Sequence, residues 1–215
     1  MKNQPVVPFE NRMGESSTAT RPRLGFFGGT FDPPHLGHVT LARLAMEHAK
    51  LDKLLLCPAH HAPLREEPPL FSGKDRLGMV QSICTVNPGM EACPIEVDHG
   101  RVRYTYETIL EIKELYPCYD IFLLLGADQF SRLHLWKNTG ELINLVHFLI
   151  FNREGSTTEP ALFKGIQVTF MNNNLIDLSS TKIRQALRSG NSSQSNLPQE
   201  VFKYLQENDL FPITN

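Results

Sequence analysis

The sequence predicts an α/β protein: a doubly wound, mostly parallel sheet with helices on both faces. Three observations predict it. Short apolar runs of strand length alternate with amphipathic stretches of helix length along most of the chain. Two of those runs, residues 53–58 and 119–125, lack the polar alternation of a half-exposed strand, which marks strands buried on both faces. Small and polar residues, Gly28-Gly29-Thr30 and later Gly126-Ala127-Asp128, directly follow apolar runs, where open α/β sheets bind ligands.

Residues 1–23 are polar, carry Pro5, Pro8 and Pro22, and contain no apolar signal-peptide core, so they are read as a flexible N-terminal extension. Glu10 and Glu15 count against a transit peptide. A single domain then occupies 24–215, and 215 residues suffice to bury one sizeable core. Its first strand is 24–27, followed by a glycine turn at Gly28-Gly29 and a helix that starts near Leu36 and runs to Lys50. After the strand at 53–58 comes a proline-rich loop, 59–69. A helix at 75–86 is stopped by Pro88, a short strand follows at 92–97, and a helix fed by 101–108 and running to 116 is ended by Pro117. Beyond the strand at 119–125 are a short helix and loop around 130–136, a helix at 140–145, and strands at 146–151 and 166–170. Two helices close the chain, at 182–189 and, after Pro198, to about Asn208.

Hydrophobic content of 41%, charged content of 20% and a net charge of −2 are those of an ordinary globular protein. They give no bulk attraction to nucleic acid or to an anionic membrane. No apolar run is long enough to span a bilayer. The four cysteines form no C-x-x-C pair and read as reduced, mostly buried thiols of a cytoplasmic protein.

The stretch Gly28-Gly29-Thr30-Phe31-Asp32-Pro33-Pro34-His35-Leu36-Gly37-His38 carries the chemistry. A helix starting beside two glycines turns its free N–H groups and positive dipole end toward a bulky anion. His35 and His38, three apart, stack on one face of the first turn, and Thr30 adds a hydroxyl. Two histidines on a helix face also suit packing or a metal, although no third or fourth ligand at zinc spacing lies nearby. A second anion site is Ser179-Ser180-Thr181-Lys182-Ile183-Arg184, where hydroxyls at a helix start are followed one turn later by an arginine; a plain cap with an exposed arginine would look the same.

Together these strings resemble the G-x-F-x-P-x-H-x-G-H and I-S-S-T-x-I-R signatures of the nucleotidyltransferase superfamily with an H-x-G-H motif, Leu178 replacing the isoleucine. With Tyr104-Thr105, Thr108, Gly126-Ala127-Asp128, Trp136, Arg153 and Gly155, the chain from 24 to 211 is similar to bacterial nicotinate-nucleotide adenylyltransferases. That resemblance implies a Rossmann-like nucleotidyltransferase sheet, ATP and nicotinate mononucleotide as partners, and Mg²⁺ bound mainly through ATP phosphates, with no dedicated protein metal site. It implies His35, His38 and Arg184 as the catalytic set. Gly28, Thr30, Phe31, Arg65, Gly126, Asp128, Ser180 and Thr181 would join them around ATP, residues 177–215 completing that side. Gly29, Thr30, Tyr104, Thr105 and Trp136 would hold the mononucleotide, Trp136 stacking on its ring. The family's P-P-H-K or P-P-H-R loop is here Ala62-Pro63-Leu64-Arg65, which keeps the cation and loses the histidine, and Arg103 stands where the family often has serine. The resemblance is compatible with a homo-oligomer. A sibling adenylyltransferase acting on a phosphopantetheine substrate and a non-catalytic nucleotide sensor are the alternatives.

Overall fold

In the computed structural model the described residues are 20–61, 67–152, 164–173, 178–189 and 196–210. The predicted strands form one six-stranded sheet: β1 (Arg23–Gly29), β2 (Lys53–Pro58), β3 (Met90–Ala92), β4 (Asp120–Gly126), β5 (His147–Phe151) and β6 (Gln167–Met171). Their order is β3-β2-β1-β4-β5-β6, and every neighbouring pair is parallel. The chain therefore winds outward from β1 in one direction and from β4 in the other, which opens a crevice beyond the carboxyl ends of these two strands.

Two apolar clusters lie on the two faces of the sheet. Phe27, Leu54 and Leu56 pack with Val39, Ala42 and Ala45 of α1 (Leu36–His48), with Met79, Val80 and Ile83 of α2 (Gly73–Thr85), and with the last two helices, α7 (Ser180–Arg188) and α8 (Gln199–Glu207). Phe26, Leu55 and Leu123 face the other way, onto Ile109 and Ile112 of α4 (Thr105–Leu115), α5 (Ala127–Phe130) and α6 (Thr139–Leu142). Leu54, Leu55, Leu56 and Cys57 are all buried, as a strand covered on both faces requires.

Two expectations are corrected. The strand expected at 92–97 is Met90–Ala92, and residues 95–98 instead form the single-turn helix α3 (Ile95–Asp98). Pro94 explains the difference: it has no N–H to give a ladder and stands at the cap of that turn. The first strand, expected at 24–27, spans Arg23–Gly29. Arg23 is in β1, and Arg21 donates to the carbonyls of Pro117, Cys118 and Tyr119 and pairs with Asp120. Residues 1–19 lie outside the described residues. No helix among the described residues is long and apolar enough to cross a membrane.

Candidate active site

The expected glycine turn is a strand end. Gly28 and Gly29 pair with Cys57 and Pro58 of β2, and neither has a positive φ. The backbone departs from the strand two residues after Gly29, at Phe31 (φ 49) and a cis Asp32–Pro33 bond. A phenylalanine in the left-handed region is costly, and packing offsets that cost. Its ring is 2% exposed, 5.6 Å edge-on from Phe27 and 4.9 Å from His38. Phe31 can therefore offer a ligand its backbone but hardly its side chain. Gly28, Gly29 and Thr30 are half-buried at the crevice.

His35 is the N-cap of α1, and the two imidazoles meet with ring centres 3.8 Å apart, tilted by 33°. The His35 backbone N–H donates to Nδ1 of His38 at 3.1 Å. A ring nitrogen that accepts carries no proton, so the neutral His38 ring carries its N–H on Nε2. His35 is 4% exposed while His38 is half-buried, which leaves His38 as the imidazole with surface to offer.

The second motif closes on the first. Ser179 caps α7 through its side chain, which accepts from Lys182 N. The Ser180 hydroxyl donates to the Pro33 carbonyl at 3.0 Å, and Arg184 Nη1 donates to the Asp32 carbonyl at 2.6 Å. The same Nη1 lies 3.3 Å from Asp32 Oδ2, and Nη2 donates to Thr181 Oγ1. The first turns of α1 and α7, each with amides that find no partner within the helix, thus meet at one loop. Arg184 was read as a cation waiting for phosphate; in the structure it is already paired with Asp32.

The remaining predicted residues lie elsewhere along the sheet edge. Gly126 ends β4 and Asp128 sits in the first turn of α5, where it accepts from the Gln129 side chain. Tyr104 caps α4, Thr105 begins it, and Trp136 ends the 3₁₀ turn Leu133–Leu135. Lys137 brings these two parts together, its Nζ lying 4.6 Å from the centre of the Tyr104 ring. The Tyr104 N–H at this helix start is taken, donating to Glu107 Oε2 at 3.0 Å. That bond holds the Glu107 carboxyl below its usual pKa. Arg65, with Leu64, and the Arg153–Gly155 segment lie outside the described residues.

Sequence reasoning missed Asp32, Arg76 and Lys137. Asp32, 2% exposed, accepts from Leu70 N and Phe71 N, each at 2.9 Å, in addition to Arg184. Arg76, 1% exposed, stands on the buried stripe of α2 with Met79, Val80 and Ile83. That helical spacing was legible, and a cation on it was the available signal. Among the described residues no group of three or more His, Cys, Asp or Glu is placed to hold a metal ion. All four cysteines are free, and contact with Cys93 together with burial pushes the Cys57 thiol pKa well up, away from nucleophilic chemistry.

Known proteins share this chain's sequence family and fold. The sequence model of the cytidylyltransferase-like family matches residues 26–186. A Shouchella clausii protein named "Probable nicotinate-nucleotide adenylyltransferase" is 35% identical over 193 residues, covering 90% of this chain and 98% of its own. The Bacillus subtilis nicotinate-nucleotide adenylyltransferase is 31% identical, covering 88% of this chain and 98% of its own. Among solved structures, the Plasmodium falciparum nicotinic acid mononucleotide adenylyltransferase complexed with APC superposes with a TM-score of 0.72 at 17% identity, covering 90% and 98% of the two chains. At that identity the likeness is one of fold.

Proposed function

The chain belongs to the nicotinate-nucleotide adenylyltransferases of the cytidylyltransferase-like family, and from that membership we propose that it transfers AMP from ATP to nicotinate mononucleotide by direct in-line attack. The mononucleotide's phosphate oxygen bonds to the α-phosphorus, the bond to the β-phosphate bridge breaks, and pyrophosphate leaves with the electron pair. The attacking phosphate is already ionised at neutral pH, so the step needs neither a general base nor a covalent intermediate. What remains for the protein is to align two anions and stabilise the added charge.

The observation that carries this reading is the meeting of the α1 and α7 first turns at the 30–35 loop. Gly29 and Thr30 hold the mononucleotide phosphate beside Gly28. His38 donates from Nε2 to the transferring phosphoryl group, with His35 stacked behind it. Ser180, Thr181 and Arg184 take the outer phosphates, and Gly126 and Asp128 lie toward the adenosine. Tyr104, Thr105 and Trp136 receive the pyridine ring. Residues 24–215 act as one domain in this scheme, 177–215 completing the ATP side.

A divalent cation fits here as a passenger of the triphosphate. The Asp32 carboxylate is committed to two amides and Arg184, so Mg²⁺ would be held by phosphate oxygens and water, neutralising their charge. The enzyme is read as cytoplasmic, in keeping with its four free cysteines. The test is pyrophosphate release from ATP. Release that depends on added nicotinate mononucleotide supports the proposal; release that answers instead to a phosphopantetheine substrate, or none at all, overturns it.

A further inference from the structure

Arg76 lies in no sequence motif and at no substrate position, yet it is among the most constrained side chains in the molecule. Its guanidinium donates to four backbone carbonyls: Thr30 beyond β1, Ala59 and His60 beyond β2, and Phe71 before α2. Three separate segments of the crevice wall are thereby fixed to one rigid planar fork. The charge is 1% exposed, faces the Asp32 and Glu96 carboxylates, and has its pKa lowered by burial. As a stability device this is a poor arrangement. A buried charge is costly, and buried ionic arrangements replaced whole by well-packed apolar groups are often no less stable.

The gain lies in what the carbonyls do. In a trans peptide the N–H points opposite to the C=O, and among the described residues the only cis bond is Asp32–Pro33. Drawing the carbonyls of Thr30, Ala59 and His60 onto one buried cation turns the N–H groups of Phe31, His60 and His61 away from it. We propose that Arg76 is a positioning residue for adenylyl transfer: it sets the backbone of the 30–31 and 59–61 segments so that the amides following its bound carbonyls, those of Phe31 and His60 above all, face substrate phosphate. The proposal rests on the phosphate-site reading above.

The experiment compares wild type, Arg76→Met, Arg76→Lys and, as a control on the same helix, Met79→Ala. Each is measured for thermal unfolding, for amide hydrogen exchange, and for kcat and KM with both substrates. Arg76→Met is expected to stay folded at the assay temperature and to lose about a hundredfold in kcat/KM, the cost of a misplaced site. Faster exchange should be confined to residues 28–34 and 57–61, with 121–126 still protected. Arg76→Lys should recover part of the rate and part of the protection. Wild-type kinetics and exchange in Arg76→Met would overturn the proposal. So would an equal kinetic loss in Met79→Ala at matched stability. If Arg76→Met does not fold, Arg76→Lys decides on the same exchange and kinetic criteria. Exchange needs no turnover, so a wild type without transferase activity would sink the functional reading and leave this one still tested.

Discussion

Arg184 and Asp32, 152 residues apart in sequence, are joined twice: Nη1 of the arginine meets both the backbone oxygen and the carboxylate of the aspartate. Asp32 also accepts from the amides of Leu70 and Phe71. The pair therefore fixes α7 to the loop after β1 and aims a guanidinium, 18% exposed, along the crevice. On the proposed reading, a triphosphate meets an arginine held in place beforehand, which lowers the ordering cost of binding.

Arg184→Ala should raise the KM for ATP by roughly tenfold or more, since hydrogen bonds to charged groups contribute about 1.5–3 kcal/mol. The KM for the mononucleotide should move little. Arg184→Lys should not restore ATP binding, because an ammonium cannot fork between Asp32 and phosphate. Equal losses for both substrates in steady-state kinetics would mean that Arg184 is only a clip between α7 and the loop.

His38 has two separable duties, and two substitutions divide them. The side-chain oxygen of Asn can occupy the Nδ1 position and accept from the His35 N–H, but it has nothing at Nε2. His38→Asn should keep near-normal stability and lose roughly a hundredfold in kcat, the usual cost of one well-placed donor. His38→Gln reaches the Nε2 position and should retain more rate than His38→Asn. If His38→Asn keeps its kcat, the donor role is wrong.

Substrate choice should depend on charge at the pyridine end. The Tyr104 amide is already taken by Glu107, so the nearby cation Lys137 becomes the natural partner for a ring carboxylate. Lys137→Met should lower the preference for nicotinate over nicotinamide mononucleotide several-fold. Trp136→Ala should cost about 1–3 kcal/mol with either substrate, by analogy with bases stacked on aromatic rings, and leave their ratio nearly unchanged. Comparing kcat/KM for both mononucleotides across the three proteins checks this. A ratio that falls in Trp136→Ala and holds in Lys137→Met would reverse the assignment.

Glu107 makes a prediction in pH. Its folded-state pKa lies below the usual carboxylate value because the Tyr104 N–H bonds its ionised form. The stability it contributes is therefore present above the unfolded pKa and is lost as pH falls through the folded pKa. Glu107→Gln keeps the accepting oxygen and loses only the charge, so it should cost no more than about 0.3–1 kcal/mol at neutral pH, the range for an anion in a helix's first turn, and the difference from wild type should shrink in acid. Urea midpoints across the acid range measure it. A difference that grew in acid would contradict the capping role.

The parallel, doubly wound sheet follows from alternation and burial, which the sequence carries locally: Leu54-Leu55-Leu56 reads as a strand covered on both faces and is one, whereas the strand order rests on long-range pairing. The strand placed at 92–97 missed because an apolar pattern does not show that Pro94 removes a donor. At the site, the motif residues were legible because helix starts have local signatures. The turn was misplaced by two residues because pairing of Gly29 with Pro58 extends β1 past the glycines, a long-range effect. Asp32 stood in plain view inside the motif, but its partners lie 38, 39 and 152 residues away. A single sequence gives no measure of such distances.

The claim of direct, single-step transfer is tested most directly by stereochemistry. One diastereomer of the α-thio analogue of ATP is offered with nicotinate mononucleotide, and the configuration at the sulfur-bearing phosphorus of the dinucleotide is determined. One in-line displacement at a site built from His38, Arg184 and two helix starts predicts inversion. Retention would require two displacements through an adenylylated side chain, and would contradict the account.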